Sequence, residues 1–421
     1  MDHHLSLPSP RLPSEICDYI LDHLWDNHKT LQICSLVTRE WLPKTRKHLF
    51  HSIHIFSNTR RVAFEDVILQ SGDALALCVR KLNLMLDELE GGCPVSIPSL
   101  PRILAPLGRL EELTLCVSTW DDCYFSTEPI TWPELPAVKA LHLHVPIVND
   151  VVSLQRFICA CPLLSSLELR IVLTSNSDDS HAHPPTVIPR SIVIETFQCT
   201  LRKPDPVVRW MLQGGLKLRI RRLAIDRLTS ISHRGTGDTQ GLLRASGECL
   251  EHLVVNLALE TLSASPDGQQ ASALAHNPNL VSIYMSTVLR DPVSFYASPY
   301  PSSWRTLLSI LADIQPMHTK LQSIDITLVT TFEPDITSMP CEQLDAALAR
   351  IVDIHPRLVF TVWIECTFLK PTPRLAEFVG ALLQRLVRVQ AARGRLCLMW
   401  LNDYDENRDF SHRTTPSWCS R

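Results

Sequence analysis

The chain has 421 residues, 45 % of them hydrophobic, with 40 Lys and Arg against 44 Asp and Glu and a net charge of −4. That composition excludes wholesale disorder, and the charge balance leaves no basic excess for gripping a phosphate backbone, so no nucleic-acid partner is expected. No apolar run approaches the length of a membrane span, since even Phe378–Val389 is broken by Arg385 and Arg388, so no membrane partner is expected.

The first residues, MDHHLSLPSP, lack the basic and apolar regions of a secretory signal. The 14 cysteines are scattered, mostly within apolar runs. Together these point to reduced, buried thiols in an intracellular protein, cytoplasmic and/or nuclear.

From Leu12 to Ile53 the sequence is apolar and punctuated at helical intervals. Pro13 suits a first helical turn, and Ile16, Ile20 and Leu24 recur at four-residue spacing as one stripe. Asn27 and His28 interrupt it. A second helix carries Leu31, Cys34 and Leu36. A third, capped near Thr38, carries Trp41, Thr45 and Leu49, with Pro43 tolerated in its first turn. Three helices in about forty residues are marginal alone, and an apolar face left over implies a partner.

Leu12-Pro13-x-Glu15-Ile16, Ile20, Leu24, Cys34-Ser35-Leu36-Val37, Arg39-x-Trp41, Arg46 and Leu49-Phe50 together resemble an F-box of the fungal type. The resemblance covers about a tenth of the chain and is placed at residues 8–56. It implies docking on a Skp-type adaptor and, through it, on the cullin of a cullin–RING (SCF-type) ubiquitin ligase. The residues it assigns to the adaptor are Leu12, Pro13, Ile16, Ile20, Leu36, Val37 and Trp41.

The rest of the chain repeats. An apolar–x–x–apolar–x–apolar pattern ends at Leu84, Leu115, Leu143, Leu169, Cys199, Ile225, Val255, Met285 and Ile326, mostly at intervals of 26 to 31 residues with a longer last one. Its final alternation is that of a half-buried strand, and helical stretches such as Val151, Leu154 and Ile158 lie between copies. A strand and a helix per repeat imply an α/β fold: a solenoid with a curved parallel sheet over residues 57–335. "ICACPLLSSLEL" resembles the degenerate leucine-rich repeats that follow F-boxes in many receptors.

The register aligns Leu82, Leu113, Leu141, Leu167, Phe197, Leu223, Leu253, Ile283 and Ile324 as one inward row. Residues 336–402 read as an irregular C-terminal repeat or cap, with strands through Phe360 and at Arg395–Leu401. Between them one helix is expected, with Leu375, Phe378, Leu382, Leu386 and Val389 on one face and Gly394 at its end. Residues 403–421 read as a flexible tail.

No Gly-rich phosphate loop, nucleophile elbow or metal-ligand spacing is visible, so neither an enzyme nor a cofactor or metal site is expected. His142 and His144 share one strand face without a third ligand, His181 and His183 in a polar loop likewise lack one, and Cys159-x-Cys161 is not a paired motif. The sheet residues that alternate with the inward row form the candidate substrate face. These are His142, His144, Glu168, Arg170, Gln198, Arg222, Asp226, His252, Asn256 and Tyr284, with Lys81, Asn83, Glu112, Thr114, Thr200, Ser286, Asp325 and Thr327 beside them. The function expected is substrate recognition for ubiquitination. The alternative is a non-catalytic interaction scaffold that takes no part in it.

Overall fold

A computed structural model describes residues 12–71, 73–86, 100–117, 119–120, 130–145, 147–148, 151–171, 192–200, 206–213, 216–228, 237–257, 274–288, 302–330, 339–366, 373–391 and 395–402. It is an α/β protein of parallel strands alternating with helices. The chain divides into two compact units, the first running to Ile194 and the second taking up from Glu195, with residues 214–217 counted in the first. The loop that holds His181 and His183, the helix end at Gly394 and the tail from Asp403 lie outside the described residues.

The first unit opens with α1 (Ser14–His23), α2 (His28–Val37) and α3 (Leu42–Leu49). Asn27 caps α2 by accepting the Thr30 N–H at 3.1 Å, which is why the stripe breaks there. The Thr38 hydroxyl accepts the Trp41 N–H at 3.3 Å, but what it caps is a turn. The third helix proper starts at Leu42, where Pro43 occupies the first turn, later than the sequence suggests. Leu21, Leu31 and Thr45 are the buried residues of these helices. The Thr45 hydroxyl is satisfied by the Trp41 carbonyl at 3.0 Å. Asp22 on α1 accepts from Lys44 and His48 on α3, each at 2.8 Å.

Next come β1 (Ser52–Ile55), α4 (Asn58–Ser71), α5 (Asp73–Ala76), β2 (Lys81–Leu86), α6 (Leu100–Leu104), β3 (Glu112–Val117), β4 (Thr119–Trp120), β5 (Ala140–Val145), β6 (Ile147–Val148), α7 (Val151–Cys159) and β7 (Ser166–Ile171). The parallel order is β1-β2-β3-β5-β7, with β4 and β6 paired apart. Sequence reading found no strand at Ser52–Ile55: four residues, only Ile55 fully buried, carry too little alternation. In register, Leu82 faces Leu113, Leu113 faces Leu141, and Leu141 faces Leu167, all buried. Helix α7 buries Leu154, Phe157 and Ile158, and Phe157 packs on Trp120 and Trp132 at 5.4 and 4.4 Å between ring centroids. Burial pushes the Cys159 thiol up to about 11 and the Cys161 thiol up to about 12, so both are held in the protonated form.

The chain passes into the second unit within β8 (Val193–Thr200). There follow α8 (Pro206–Gln213), β9 (Lys217–Leu228), α9 (Gly237–Ser246), β10 (His252–Leu257), β11 (Ser282–Val288), α10 (Ser302–Ala312), β12 (Ser323–Thr330), α11 (Cys341–Ile354), β13 (Val359–Cys366), α12 (Pro373–Arg385), α13 (Val387–Ala391) and β14 (Arg395–Asn402). Strands β9 to β14 pair in sequence order, all parallel. The row here runs Leu223, Leu253, Ile283, Ile324 and Phe360, and Leu396 pairs with Phe360 in backbone register. Phe197 in β8 is fully buried too. One bulge departs from this regularity. Val255 faces Ile225 but Leu257 faces Leu228, so Asp226 and Arg227 together oppose Asn256.

The helix expected across Phe378 to Val389 is two, broken at Leu386. Phe378, Leu382, Leu386 and Val389 are buried as the periodicity requires. The break has a cause remote in sequence. Asp345 on α11, itself buried, places its two carboxylate oxygens 3.0 Å from the N–H groups of Arg388 and Val389. A carboxylate at a helix start satisfies donors that the first turn leaves free, and so restarts the helix there.

Truncating the inward row is expected to cost far more than truncating a comparable exposed leucine. Leu141→Ala should lower unfolding stability by about 2–5 kcal/mol. Leu163→Ala, at a position 54 % exposed, should change it by under about 0.5 kcal/mol. Denaturant titration of both variants checks this, and equal effects would show the row does not hold the sheet together.

Candidate functional site

Two kinds of surface arise from this architecture. The first is apolar and lies on the N-terminal helices. Because only Leu21 of α1 is fully buried, Leu12, Pro13, Ile16 and Ile20 remain exposed at three- and four-residue spacing. Leu36 and Val37, at the end of α2, are exposed as well, Leu36 at 87 %. Trp41 is half-buried. Tyr19, Trp25 and Ile33 add to the exposed apolar area and were missed in the sequence. Tyr19 could have been found three residues after Ile16; Trp25 follows the helix, where periodicity says nothing.

The second kind is polar and is the sheet face opposite the inward row. In the first unit Asn83, Thr114, His142 and Glu168 stand in one register, all half-buried. Glu168 is the hub. It accepts from Arg170 Nε at 2.6 Å, lies 2.8 Å from His142 Nδ1, and lies 3.3 Å from His144 Nε2. Burial is the largest single influence on this carboxyl and opposes ionisation. The two histidine hydrogen bonds and the Arg170 charge outweigh it and hold Glu168 well below the usual carboxylate range. Thus His142, His144, Glu168 and Arg170 form one cluster. Beside it Lys81 pairs with Glu112 at 2.7 Å. Among the described residues no three His, Cys, Asp or Glu side chains are set to hold a metal ion.

In the second unit the bulge on β9 sets Asp226 between two amides, Gln198 at 3.4 Å and Asn256. His252, in register with Arg222, hydrogen-bonds the Ser282 hydroxyl at 2.8 Å. Burial, helped by the Arg222 charge, lowers the His252 pKa. Tyr284 hydrogen-bonds Thr327, and burial raises its pKa, with the charges of Glu365 and Asp325 adding to the rise. Not all of this face is polar, for Ala224 and Val254, which alternate with the polar residues on β9 and β10, are buried.

Three residues of β13 join this face without having been foreseen: Thr361 beside Asp325, Trp363 beside Thr327, and Glu365 beside Val329. The Trp363 indole donates to Asp325 Oδ1 at 3.4 Å. Their signal was present, since an inward Phe360, Val362 and Ile364 puts the residues between them on the other side.

No family model matches the chain, and no curated protein matches it significantly. Among the described residues no helix is long and apolar enough to cross a membrane.

Glu168 gives the first unit an acid-sensitive contribution. A carboxyl whose folded pKa is depressed contributes stability above its ordinary value of 4.5, and that stability is lost as pH falls towards the folded value. Glu168→Gln should therefore be less stable than the parent at neutral pH, with the gap closing on acidification below about 4.5. Denaturation at a series of pH values checks the sign; a gap that widens in acid would contradict the hub.

Proposed function

We propose that this protein is the substrate-recognition subunit of a cullin–RING (SCF-type) ubiquitin ligase. In this reading α1 to α3 are an F-box that docks on a Skp-type adaptor, and the strand–helix repeats are a leucine-rich-repeat-like solenoid with a curved sheet. The polar face of that sheet holds a protein substrate. Ubiquitin transfer is carried out elsewhere in the complex, inside the cell, in the cytoplasm and/or nucleus.

The observation that carries the reading is the exposed row Leu12, Pro13, Ile16 and Ile20, joined by Leu36 and Val37, on helices whose own core is little more than Leu21, Leu31 and Thr45. A helical module that leaves this much apolar surface uncovered is built to be completed by another protein. The repeats support the second half: a register kept from strand to strand presents side chains at fixed spacings, as recognition of an extended partner requires.

Co-purification of the tagged full chain tests this. The parent should bring down both adaptor and cullin. Ile16→Asp, which would bury an unpaired carboxylate on docking, should lose both by about tenfold or more while its unfolding profile stays that of the parent. Adaptor without cullin would favour the scaffold alternative. Adaptor retained by Ile16→Asp would sink the docking assignment.

A further inference from the structure

We propose that a groove at the strand-entry end of the second unit binds a small zwitterion of the unblocked-dipeptide type, its ammonium on Glu248 and its carboxylate on Lys320. This site goes beyond the receptor reading and does not rest on it. The groove has a volume of about 420 Å³, within the range of small-molecule sites. It crosses β9 and the turns that lead into β10, β11 and β12, where Arg221, Glu248, Asn279 and Lys320 line it in strand order.

The wall that carries Glu248 is held in place. Gly247, at a φ of 50°, takes the left-handed conformation that glycine tolerates and opens a short 3₁₀ turn, Gly247–Cys249. The next turn along the sheet fastens it. Asn277 donates to the Gly247 carbonyl at 2.9 Å, and Asn279 donates to the Glu248 carbonyl at 2.8 Å. Beside them Arg221 bonds both carboxylate oxygens of Glu251 at 2.9 Å.

Charge complementarity selects the occupant. Arg221 and Glu251 compensate each other, and Glu195 adds to the negative charge around Arg221. Of the lining charges that leaves Glu248 and Lys320, whose charged groups have no ion-pair or hydrogen-bond partner among the described residues. One is negative and the other positive. The turns that carry them precede β10 and β12, two strand spacings or about 10 Å apart. An extended dipeptide spans about 7 Å, and the two side chains reach across the remainder. A pure anion would leave Glu248 unpaired beside it, and a pure cation would do the same to Lys320. Val281 gives the groove an apolar wall for a small side chain, and the Cys249 thiol lies against the same space.

Calorimetric titration of the full chain with Ala-Ala, its N-acetyl form and its C-terminal amide tests the idea. Ala-Ala should bind, more weakly as salt rises, and each blocked form should bind about tenfold more weakly or not at all. Glu248→Gln and Lys320→Gln, both at exposed positions, should each weaken Ala-Ala binding by about tenfold. Glu342→Gln removes an exposed charge on α11 and should change nothing. Bound Ala-Ala should also slow alkylation of Cys249, read by peptide mapping, and leave that of the exposed Cys397 unchanged. No binding of Ala-Ala, equal binding of either blocked form, full binding by Glu248→Gln or Lys320→Gln, an equal loss in Glu342→Gln, or no protection of Cys249 would overturn the proposal. Ile16→Asp should leave dipeptide binding intact, so the outcome here is independent of adaptor docking.

Discussion

Register is the constraint on which the rest depends. In a parallel sheet with one face buried, a slip of one residue would send an apolar set into water and a polar set into the core. The matched rows, Leu82 to Leu167 in the first unit and Leu223 to Phe360 in the second, hold these strands against that slip. Everything on the opposite face inherits its position from them. Glu168 meets His142 because Leu167 meets Leu141, and Trp363 meets Thr327 because Phe360 meets Ile324.

Buried rows set the strands, but the helices also need their ends satisfied. The carbonyls at a helix C-terminus have no partner within the helix. In the second unit later repeats supply one. Asn277 donates to the carbonyls of Leu243 and Gly247 at 2.8 and 2.9 Å, after α9. Arg350 donates to those of Leu311 and Ile314 at 2.7 and 3.0 Å, closing α10. His318 accepts the Gln315 N–H at Nδ1, which leaves Nε2 to donate to the Leu274 carbonyl at 3.2 Å. With the Asp345 contacts at the start of α13, these bonds tie successive repeats from α9 to α13 together in ways that apolar packing alone would not specify.

That division explains what was legible in the sequence. The parallel register was readable because every copy repeats the same apolar spacing, and Leu82, Leu113, Leu141 and Leu167 pair as that spacing demands. The break at Leu386 was not readable, because its cause is a carboxylate 43 residues from the nearer amide. The bulge at Asp226 and Arg227 left no mark either, for the sequence pattern ends at Ile225 before the extra residue. On the candidate face, polarity marked which residues point away from the core. It could not show which share a hydrogen bond, so His142, His144 and Arg170 read as separate groups until Glu168 joined them.

The three surfaces differ in how much of their interaction capacity is already met within the chain. Around Glu168 the charges are compensated internally, so an incoming partner would have to displace hydrogen bonds as short as 2.6 Å before gaining its own. Around Asp325 the Trp363 indole is a neutral donor that orients the acid without compensating its charge. On α1 and α2 the apolar side chains of Ile16, Ile20, Leu36 and Val37 leave much of their surface to water. Affinity follows the unmet part, since only interactions missing in the free protein can contribute to binding. The apolar helices are therefore where burial against another surface would gain most, and the Glu168 cluster is where the chain chiefly stabilises itself.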